Sequence, residues 1–210
     1  MIKVMLVDDH AVVRMGFRLL LEEADDIAVV AEAATGEDAL RLYADLKPDV
    51  VVMDISMPGI GGIEAVTRLL AKDATAKVLV LSAHEDSIHP KRMLKAGALG
   101  YLSKRIAADE LIQAIRKVDQ GEIFLDSALV QQIALQQVTG DQSPVDVLSD
   151  REFEVFMLLA KGESVAQIAA RLFVSPRTIG THLYNIKQKL GATNSAELTL
   201  IALRNGLLTP

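Results

Sequence analysis

The stretch that decides the fold is Val50-Val-Val-Met-Asp-Ile-Ser-Met-Pro-Gly59. Its first four residues form a continuous apolar run, which is typical of a strand buried on both faces, and Asp54 follows that run directly. A second run of the same kind, Val78-Leu-Val-Leu81, is followed by Ser82. Such strands belong to parallel sheets covered by helices, where ligands bind beyond the carboxyl ends of the strands. The sequence therefore predicts an α/β fold with its chemistry at those strand ends.

The alternation of strands and helices extends over the first 125 residues. Between and after the strands, five segments carry apolar residues at helical spacing, as Val13, Phe17 and Leu20 do in the first. The pattern predicts a doubly wound, five-stranded parallel sheet with helices on both faces. The predicted strands are Ile2–Val7, Ile27–Ala31, Val50–Met53, Val78–Leu81 and Leu99–Leu102.

The pattern changes after the fifth helix. A Gln-rich, weakly amphipathic helix is predicted over Ser127–Val138, and Thr139–Pro144 holds turn-forming residues, as a linker does. From Val145 onward only helical spacing is found, which predicts about four short helices. The predicted organisation is an α/β domain at residues 1–122, a helical and flexible linker at 123–145, and a small all-α domain at 146–210.

Composition narrows the classes of function. The chain has 210 residues and a formal net charge of -6, which argues against binding nucleic acid or membranes by bulk charge alone. It has no cysteine, so disulfides, thiolate metal sites and cysteine nucleophiles are excluded. No apolar stretch approaches the roughly 20 residues that span a bilayer, and the amino terminus does not resemble a signal peptide. We expect a soluble, cytoplasmic chain that does not contact membranes.

Polar side chains follow four of the predicted strands. Asp8 and Asp9 follow the first strand, Asp54 the third, Ser82 the fourth, and Lys104 comes just after the fifth. Because parallel strands end at one edge of the sheet, we expect these groups to converge. Crowded carboxylates need a cation among them, and hard oxygen ligands favour Mg²⁺. A carboxylate nucleophile, a hydroxyl, a lysine and Mg²⁺ together suit phosphoryl transfer. Taken alone, Asp9 could instead cap the first helix.

These strand ends resemble the receiver domain of bacterial two-component response regulators over roughly residues 1–120. The resemblance implies a flavodoxin-like fold in which Asp54 accepts a phosphoryl group from a sensor histidine kinase. It further implies that Asp8, Asp9, Asp54 and the backbone carbonyl of Ser56 hold Mg²⁺. Lys104 would pair with the phosphoryl oxygens and Ser82 would move to bond them. The motifs that carry the resemblance are Val7-Asp-Asp-His10, Val52-Met-Asp-Ile-Ser-Met-Pro-Gly59, Val80-Leu-Ser-Ala83 and Gly100-Tyr-Leu-Ser-Lys104.

Two further positions bear on this resemblance. Tyr101 matches the switch aromatic of receivers, which turns inward when the hydroxyl moves; the alternative is an ordinary strand residue. Receivers usually have proline after the lysine, whereas Arg105 follows Lys104 here. This departure leaves the site residues intact and puts the geometry of the following loop in doubt.

The all-α domain shows helix caps at helix-turn-helix spacing. Ser149 and Glu152 have the spacing of a capping box, and Ser164 can cap the next helix. Ser175 is placed to cap a longer helix with Pro176 at its first position, and Gly191 ends that helix. Two helices are joined by a brief turn, and the second is longer and capped. This pattern indicates a helix-turn-helix.

The longer helix has one apolar and one polar face. Ile179, Leu183, Ile186 and Leu190 are expected to face the core, while the opposite face carries hydroxyl, phenol and basic groups that can reach bases and phosphates. Taken alone, this pattern favours a solvated helix face over a DNA-binding one. Residues 146–208 resemble the LuxR-type helix-turn-helix through Leu148-Ser-Asp-Arg-Glu, Val174-Ser-Pro-Arg-Thr-Ile179 and His182-Leu-Tyr-Asn-Ile-Lys-Gln-Lys-Leu190. The candidate DNA-binding residues are Arg177, Thr178, Thr181, His182, Tyr184, Asn185, Lys187 and Gln188.

Departures from this family concern DNA affinity and dimerisation. Gly180 and Tyr184 stand where family members often carry basic residues, so fewer phosphate contacts and a shallower salt dependence are expected. The last predicted helix, Ser195–Arg204, corresponds to the family's dimer contact on DNA. The alternative is that Leu198, Ile201 and Ala202 only cover the core of the domain.

The two resemblances together indicate a response regulator of the NarL/FixJ family rather than an enzyme. Mg²⁺-dependent phosphorylation of Asp54 by a sensor histidine kinase would promote homodimer formation and sequence-specific binding to double-stranded promoter DNA. RNA polymerase is a further candidate partner.

Two alternatives remain. A phosphatase of the haloacid-dehalogenase type also uses Asp, a hydroxyl and Lys, but carries an Asp-x-Asp motif where this chain has Asp8-Asp9. A DNA binder whose receiver is a fixed dimer module would not need phosphorylation, against which the intact acidic set and Lys104 argue.

Overall fold

The structure is a computed structural model that describes residues 1–82, 88–105, 108–125, 130, 144–205 and 207–208. These residues belong to two units, which lie within residues 1–134 (the N-terminal unit) and 135–210 (the C-terminal unit). The predicted linker and the helix expected before it fall almost wholly outside the described residues. Within the parts of the chain that are described, no helix is long and apolar enough to cross a membrane.

The N-terminal unit alternates strands and helices as the sequence predicts. Its strands are β1 (Ile2–Val7), β2 (Ile27–Ala33), β3 (Val50–Asp54), β4 (Val78–Ser82), β5 (Gly100–Ser103) and β6 (Phe124–Leu125). Its helices are α1 (Ala11–Glu22), α2 (Gly36–Leu46), α3 (Gly61–Lys72), α4 (Ile88–Ala96) and α5 (Ala108–Asp119).

The sheet is parallel in the order β2-β1-β3-β4-β5-β6, so it has six strands rather than the predicted five. The sixth strand continues the sheet beyond residue 122 and pairs with β5, with Phe124 beside Gly100 and Leu125 beside Tyr101. Two residues are too few to show a periodicity, and pairing with β5 rather than local pattern defines this strand.

Alternate residues of the central strands enter two separate cores. Met5, Val51 and Met53 pack on the face that also holds residues of α2 and α3. Val4 and Leu6 pack on the opposite face with residues of α1 and α5. Both faces of the sheet are therefore buried beneath helices, which explains why the central strands are continuous apolar runs.

The C-terminal unit consists of a 3₁₀ turn followed by helices. The turn spans Pro144–Val147, and the helices are α6 (Asp150–Ala160), α7 (Val165–Arg171), α8 (Pro176–Leu190) and α9 (Ser195–Arg204).

The predicted caps of these helices are confirmed. Ser149 and Ser164 each form a capping box, with Glu152 and Gln167 respectively. The Ser175 side chain accepts a hydrogen bond from the Thr178 N–H, and Gly191 ends α8 in a left-handed conformation. These caps satisfy backbone groups that the helix ends would leave without partners.

Helix α6 is the centre of this unit. Phe153, Phe156 and Met157 are buried, and Val155, Leu158 and Leu159 are buried as well. The reason is that α7, α8 and α9 all pack against α6, so the helix is covered on several sides.

Candidate functional site

An acidic cluster lies at the carboxyl ends of β1 and β3, where the sequence predicted it. Asp8 is 3% exposed and Asp54 is 1% exposed, while Asp9 is half-buried. Ligand atoms of Asp8, Asp9, His10 and Asp54 all lie within 4.8 Å of one another. Three carboxylates this close, two of them buried, form a donor set that fits a hard divalent cation such as Mg²⁺.

Lys104 completes the cluster from the end of β5. Its Nζ lies 2.7 Å from Asp54 Oδ2 and 2.7 Å from Asp8 Oδ2. The Lys104 backbone N–H donates to the Ser82 carbonyl over 2.7 Å, which keeps the ends of β4 and β5 together. Residues nearly 100 positions apart in sequence are thus brought into direct contact.

Burial and charge shift the pKa values of this pair. Burial raises the pKa of the Asp54 carboxyl, and the Lys104 ammonium opposes that rise without cancelling it. Burial acts to lower the pKa of Lys104, but the carboxylates of Asp54 and Asp8 outweigh it and hold the pKa above its ordinary value. Lys104 therefore stays charged, and a buried carboxylate that is costly to keep charged favours a cation beside it.

Ser82 and Tyr101 both lie inside the unit. Ser82 is fully buried at the end of β4, in register with Ser103 of β5. Tyr101 is 2% exposed and packs in the core on the α2 and α3 face. The inward position of Tyr101 matches one of the two orientations that its expected switch role requires, and the switch itself stays a prediction.

The loop after Asp54 is held close to the site. The Ser56 N–H donates to Asp54 Oδ1 over 3.1 Å. Gly62, at the start of α3, approaches β3 so tightly that a Cβ there would lie 1.9 Å from the Asp54 carbonyl oxygen. Glu37 of α2 accepts a hydrogen bond of 3.1 Å from the Ile60 N–H. A glycine thus allows α3 to approach the strand that presents Asp54.

His10 also belongs to the acidic cluster, a contact that was not predicted from the sequence. Its Nδ1 lies 2.8 Å from Asp9 Oδ1 and 3.3 Å from Asp8 Oδ1. His10 is also the N-cap residue of α1, with no side-chain capping hydrogen bond, so the alternative that Asp9 caps this helix is wrong. The position directly after two acids was the only sequence signal for this contact.

The polar face of α8 is open, as expected for a surface that reads DNA. Tyr184 is 65% exposed despite its size. Of the candidate DNA-binding residues, His182, Asn185 and Lys187 are half-buried. The exposed ones are Arg177, Thr178, Thr181, Tyr184 and Gln188.

Some of these side chains already have partners within the C-terminal unit. Thr181 Oγ1 donates to the Arg177 carbonyl over 3.1 Å, and Lys187 Nζ donates to the Thr193 carbonyl over 3.2 Å. Burial, helped by the positive charge of Arg151, lowers the pKa of His182, so its imidazole is neutral at pH 7. Contact with DNA would have to compete with or extend these internal bonds.

Lys189 points the other way, toward α6. Its Nζ lies 2.5 Å from Oε2 of Glu152, which is buried and also accepts the Ser149 N–H over 2.8 Å. Burial acts to raise the pKa of Glu152, but Lys189 and hydrogen bonds from the backbone N–H and the side chain of Ser149 outweigh it, so the pKa lies below its ordinary value. This ion pair, which the sequence analysis missed, ties α8 to α6.

Helix α9 divides between core and surface. Leu198 and Ala202 are fully buried and Ile201 is half-buried, so these three cover the core of the unit. Leu200 is 49% exposed on the same helix. An apolar side chain therefore remains available on α9 for a contact outside the unit.

Comparison with known proteins matches both units. The response regulator receiver domain family matches residues 4–116, and the luxR family of bacterial regulatory proteins matches residues 146–202. Response regulator GacA of Pseudomonas aeruginosa is 42% identical over 210 residues, which cover 99% of this chain and 98% of that protein. Response regulator UvrY of Escherichia coli K12 is 42% identical over 209 residues, which cover 99% of this chain and 96% of that protein.

A solved structure matches nearly the whole chain. RcsB from Salmonella enterica serovar Typhimurium, bound to promoter rprA in the presence of phosphomimetic BeF3-, has a TM-score of 0.70 and 25% identity, covering 95% of this chain and 97% of that one. The acidic strand-end cluster thus lies in the part of the chain that matches the receiver family, and the capped helices lie in the part that matches the luxR family. The chain belongs to the bacterial two-component response regulators that join a receiver domain to a LuxR-type DNA-binding domain, the NarL/FixJ family.

Proposed function

We propose that this response regulator accepts a phosphoryl group on Asp54 from a sensor histidine kinase, and that the phosphorylated chain dimerises on promoter DNA to regulate transcription. The observation that carries this proposal is the meeting of Asp54, Asp8 and Lys104 within 2.7 Å contacts at the carboxyl edge of the sheet. Each comes from a different strand end, so the fold itself brings a nucleophile, a metal ligand and a cation together.

This geometry supports the following roles for the residues. The carboxylates of Asp8, Asp9 and Asp54 and the carbonyl of Ser56 would hold Mg²⁺, which when bound supplies positive charge for the oxygens of the transferred group. An Asp54 carboxylate oxygen forms a bond to phosphorus while the phosphorus–nitrogen bond of the kinase phosphohistidine breaks, and the electron pair returns to the imidazole. The Lys104 ammonium then pairs with a phosphoryl oxygen.

Ser82 and Tyr101 would respond to the charge added at Asp54. A phosphoryl group adds roughly two negative charges and three acceptor oxygens. Ser82 would donate its hydroxyl to one of them, which would favour the inward, buried position of Tyr101. This would shift the outer surface of the N-terminal unit between two packings.

DNA recognition would use the polar face of α8. We assign this role to Arg177, Thr178, Thr181, His182, Tyr184, Asn185, Lys187 and Gln188, of which five are exposed. The promoter-bound RcsB structure supports DNA binding by a related chain, and the choice of α8 rests on its exposed polar face. Residues 145–210 hold seven basic and six acidic groups, so bulk attraction to DNA is weak. Two copies are therefore needed for useful affinity, and Leu200 of α9 is placed for the contact between them.

Binding DNA implies that the protein works in the cytoplasm, with RNA polymerase as a candidate partner. We retain residues 1–122, 123–145 and 146–210 as the proposed domain boundaries, with β6 added to the sheet from the linker segment.

Phosphoryl uptake tests the first half of this proposal. The intact chain is incubated with a small acyl phosphate, with Mg²⁺ or with a chelator, and its mass is measured. Wild type should gain one phosphoryl group when Mg²⁺ is present and none with the chelator. Asp54→Ala should gain none in either case, and Lys104→Gln should take up the group more slowly. No uptake by wild type would refute the proposal, and turnover of many equivalents of an ordinary phosphate ester would favour a phosphatase instead.

A further inference from the structure

Asp8 is held at all of its polar atoms. Its N–H donates to the Ala33 carbonyl over 3.1 Å, and its Oδ1 accepts from the His10 N–H over 2.8 Å. Its Oδ2 accepts from Lys104 Nζ over 2.7 Å. Its backbone carbonyl accepts from Nη1 of Arg14 over 2.6 Å, a contact that comes from the second turn of neighbouring helix α1.

Arg14 is itself locked in place. Its Nε donates to Oε2 of Glu32 over 2.9 Å, and its side chain is 18% exposed. Glu32 lies on β2 in register with Leu6, next to the end of β1. Arg18, one turn further along α1, donates to the other Glu32 oxygen over 2.8 Å without a bond to Asp8. The planar guanidinium of Arg14 therefore bridges two strands with two directed bonds.

We propose that Arg14, anchored by Glu32, is a positioning residue that sets the backbone of Asp8 and so the divalent cation site. The proposal deepens the proposed function and rests on it for the site. Residues 8–10 lie between β1 and α1, so rotation of the Asp8 peptide would displace both the Asp8 and the Asp9 carboxylates. Residues behind metal ligands typically change metal affinity about 10–100-fold when they are removed.

The direction of the change in Mg²⁺ affinity on replacing Arg14 distinguishes a positioning role from a purely electrostatic one. Arg14 is a cation near a cation site, so by electrostatics alone its removal would tighten Mg²⁺ binding. A positioning role has the opposite consequence, because loss of the bridge frees the Asp8 peptide. Arg14→Lys keeps the charge but loses the two-pronged geometry, so it too should weaken binding.

The test is a calorimetric titration of the full chain with Mg²⁺ alone. Arg14→Met and Arg14→Lys should weaken Mg²⁺ binding about tenfold. Glu32→Gln, which keeps the size of the anchor, should weaken binding less. The matched control is Arg18→Met, which loses an exposed pair to the same Glu32 and should stay within about twofold of wild type.

Mg²⁺ binding by Arg14→Met that equals or exceeds wild type would overturn the proposal, and so would an equal loss in Arg18→Met. If Arg14→Met fails to fold by circular dichroism, Arg14→Lys and Glu32→Gln decide the same question. Phosphoryl uptake by wild type is measured in parallel. A wild type that binds Mg²⁺ but takes no phosphoryl group refutes the proposed function, while the variant comparison still decides the role of Arg14.

Discussion

At the scale of single residues, two glycines of α8 place opposite demands on the backbone. Gly180 lies inside the helix and Gly191 ends it at φ +65°, and an added Cβ would meet nothing within 4 Å at either position. Gly180→Ala should therefore stabilise the C-terminal unit by about 1 kcal/mol. Gly191→Ala should destabilise it by about 1 kcal/mol, because alanine is strained at positive φ.

Urea unfolding followed by the NMR signals of the C-terminal unit measures both variants. The two glycines serve as controls for each other, since both changes add the same methyl group to open space. Shifts of the same sign would contradict the backbone account.

Arg177 is expected to contribute to DNA binding through charge. It is exposed at the second position of α8, close to the helix start that enters the major groove in this motif. Arg177→Gln should weaken DNA binding and reduce the slope of log affinity against log salt by about one. Lys161→Gln, which changes an exposed lysine at the end of α6, is the control and should leave the slope unchanged. An unchanged slope in Arg177→Gln would place Arg177 away from the phosphates.

At the scale of helices and strands, Glu152 links the cap of α6 to α8 through Lys189. Because the pKa of Glu152 in the folded chain lies below its ordinary 4.5, its stabilisation is complete above that value and is lost as pH falls through the lowered pKa. The free energy of unfolding of wild type should exceed that of Glu152→Gln by about 2 kcal/mol near pH 7, and the difference should shrink as pH falls below 4.5 and through the lowered pKa.

Denaturant unfolding of the C-terminal unit across this pH range checks the Glu152 prediction. The control is Glu163→Gln, which breaks the more exposed pair with Arg171 and should change stability by less than about 0.5 kcal/mol. A Glu152→Gln difference that is constant with pH would show that the carboxylate charge is not the cause.

The same scale shows what the sequence could predict. Continuous apolar runs indicated β1 to β5, and caps such as Ser149 and Ser175 were predictable because they depend on neighbours three residues away. The convergence of Asp8, Asp54 and Lys104 followed from the rule that parallel strands end at one edge. Strand β6 and the contacts of Arg14 and Lys189 were not predictable. Each depends on the distance between two elements that are far apart in sequence, and no local pattern specifies that distance.

At the scale of the whole molecule, the net charge of -6 is the sum of two parts of the chain that differ in charge. Residues 145–210 carry a net charge of +1, so the acidity belongs to the rest of the chain, where some of it forms the acidic cluster of Asp8, Asp9 and Asp54. The net negative charge therefore disfavours DNA binding by bulk charge and does not disfavour directed contacts from α8. Under the proposed function, a weakly charged DNA-binding unit would make affinity depend on dimerisation, which phosphorylation would control.

The most direct test of this account is the affinity of the full chain for a promoter fragment selected by the wild-type protein, before and after acyl-phosphate treatment with Mg²⁺. Oligomeric state is measured on the same samples, and Asp54→Ala is treated identically as the matched control. The account predicts that treated wild type becomes dimeric and binds the fragment at least about tenfold more tightly, a coupling of about 1.4 kcal/mol, while Asp54→Ala changes in neither respect. Phosphorylated wild type that stays monomeric with unchanged affinity would contradict it.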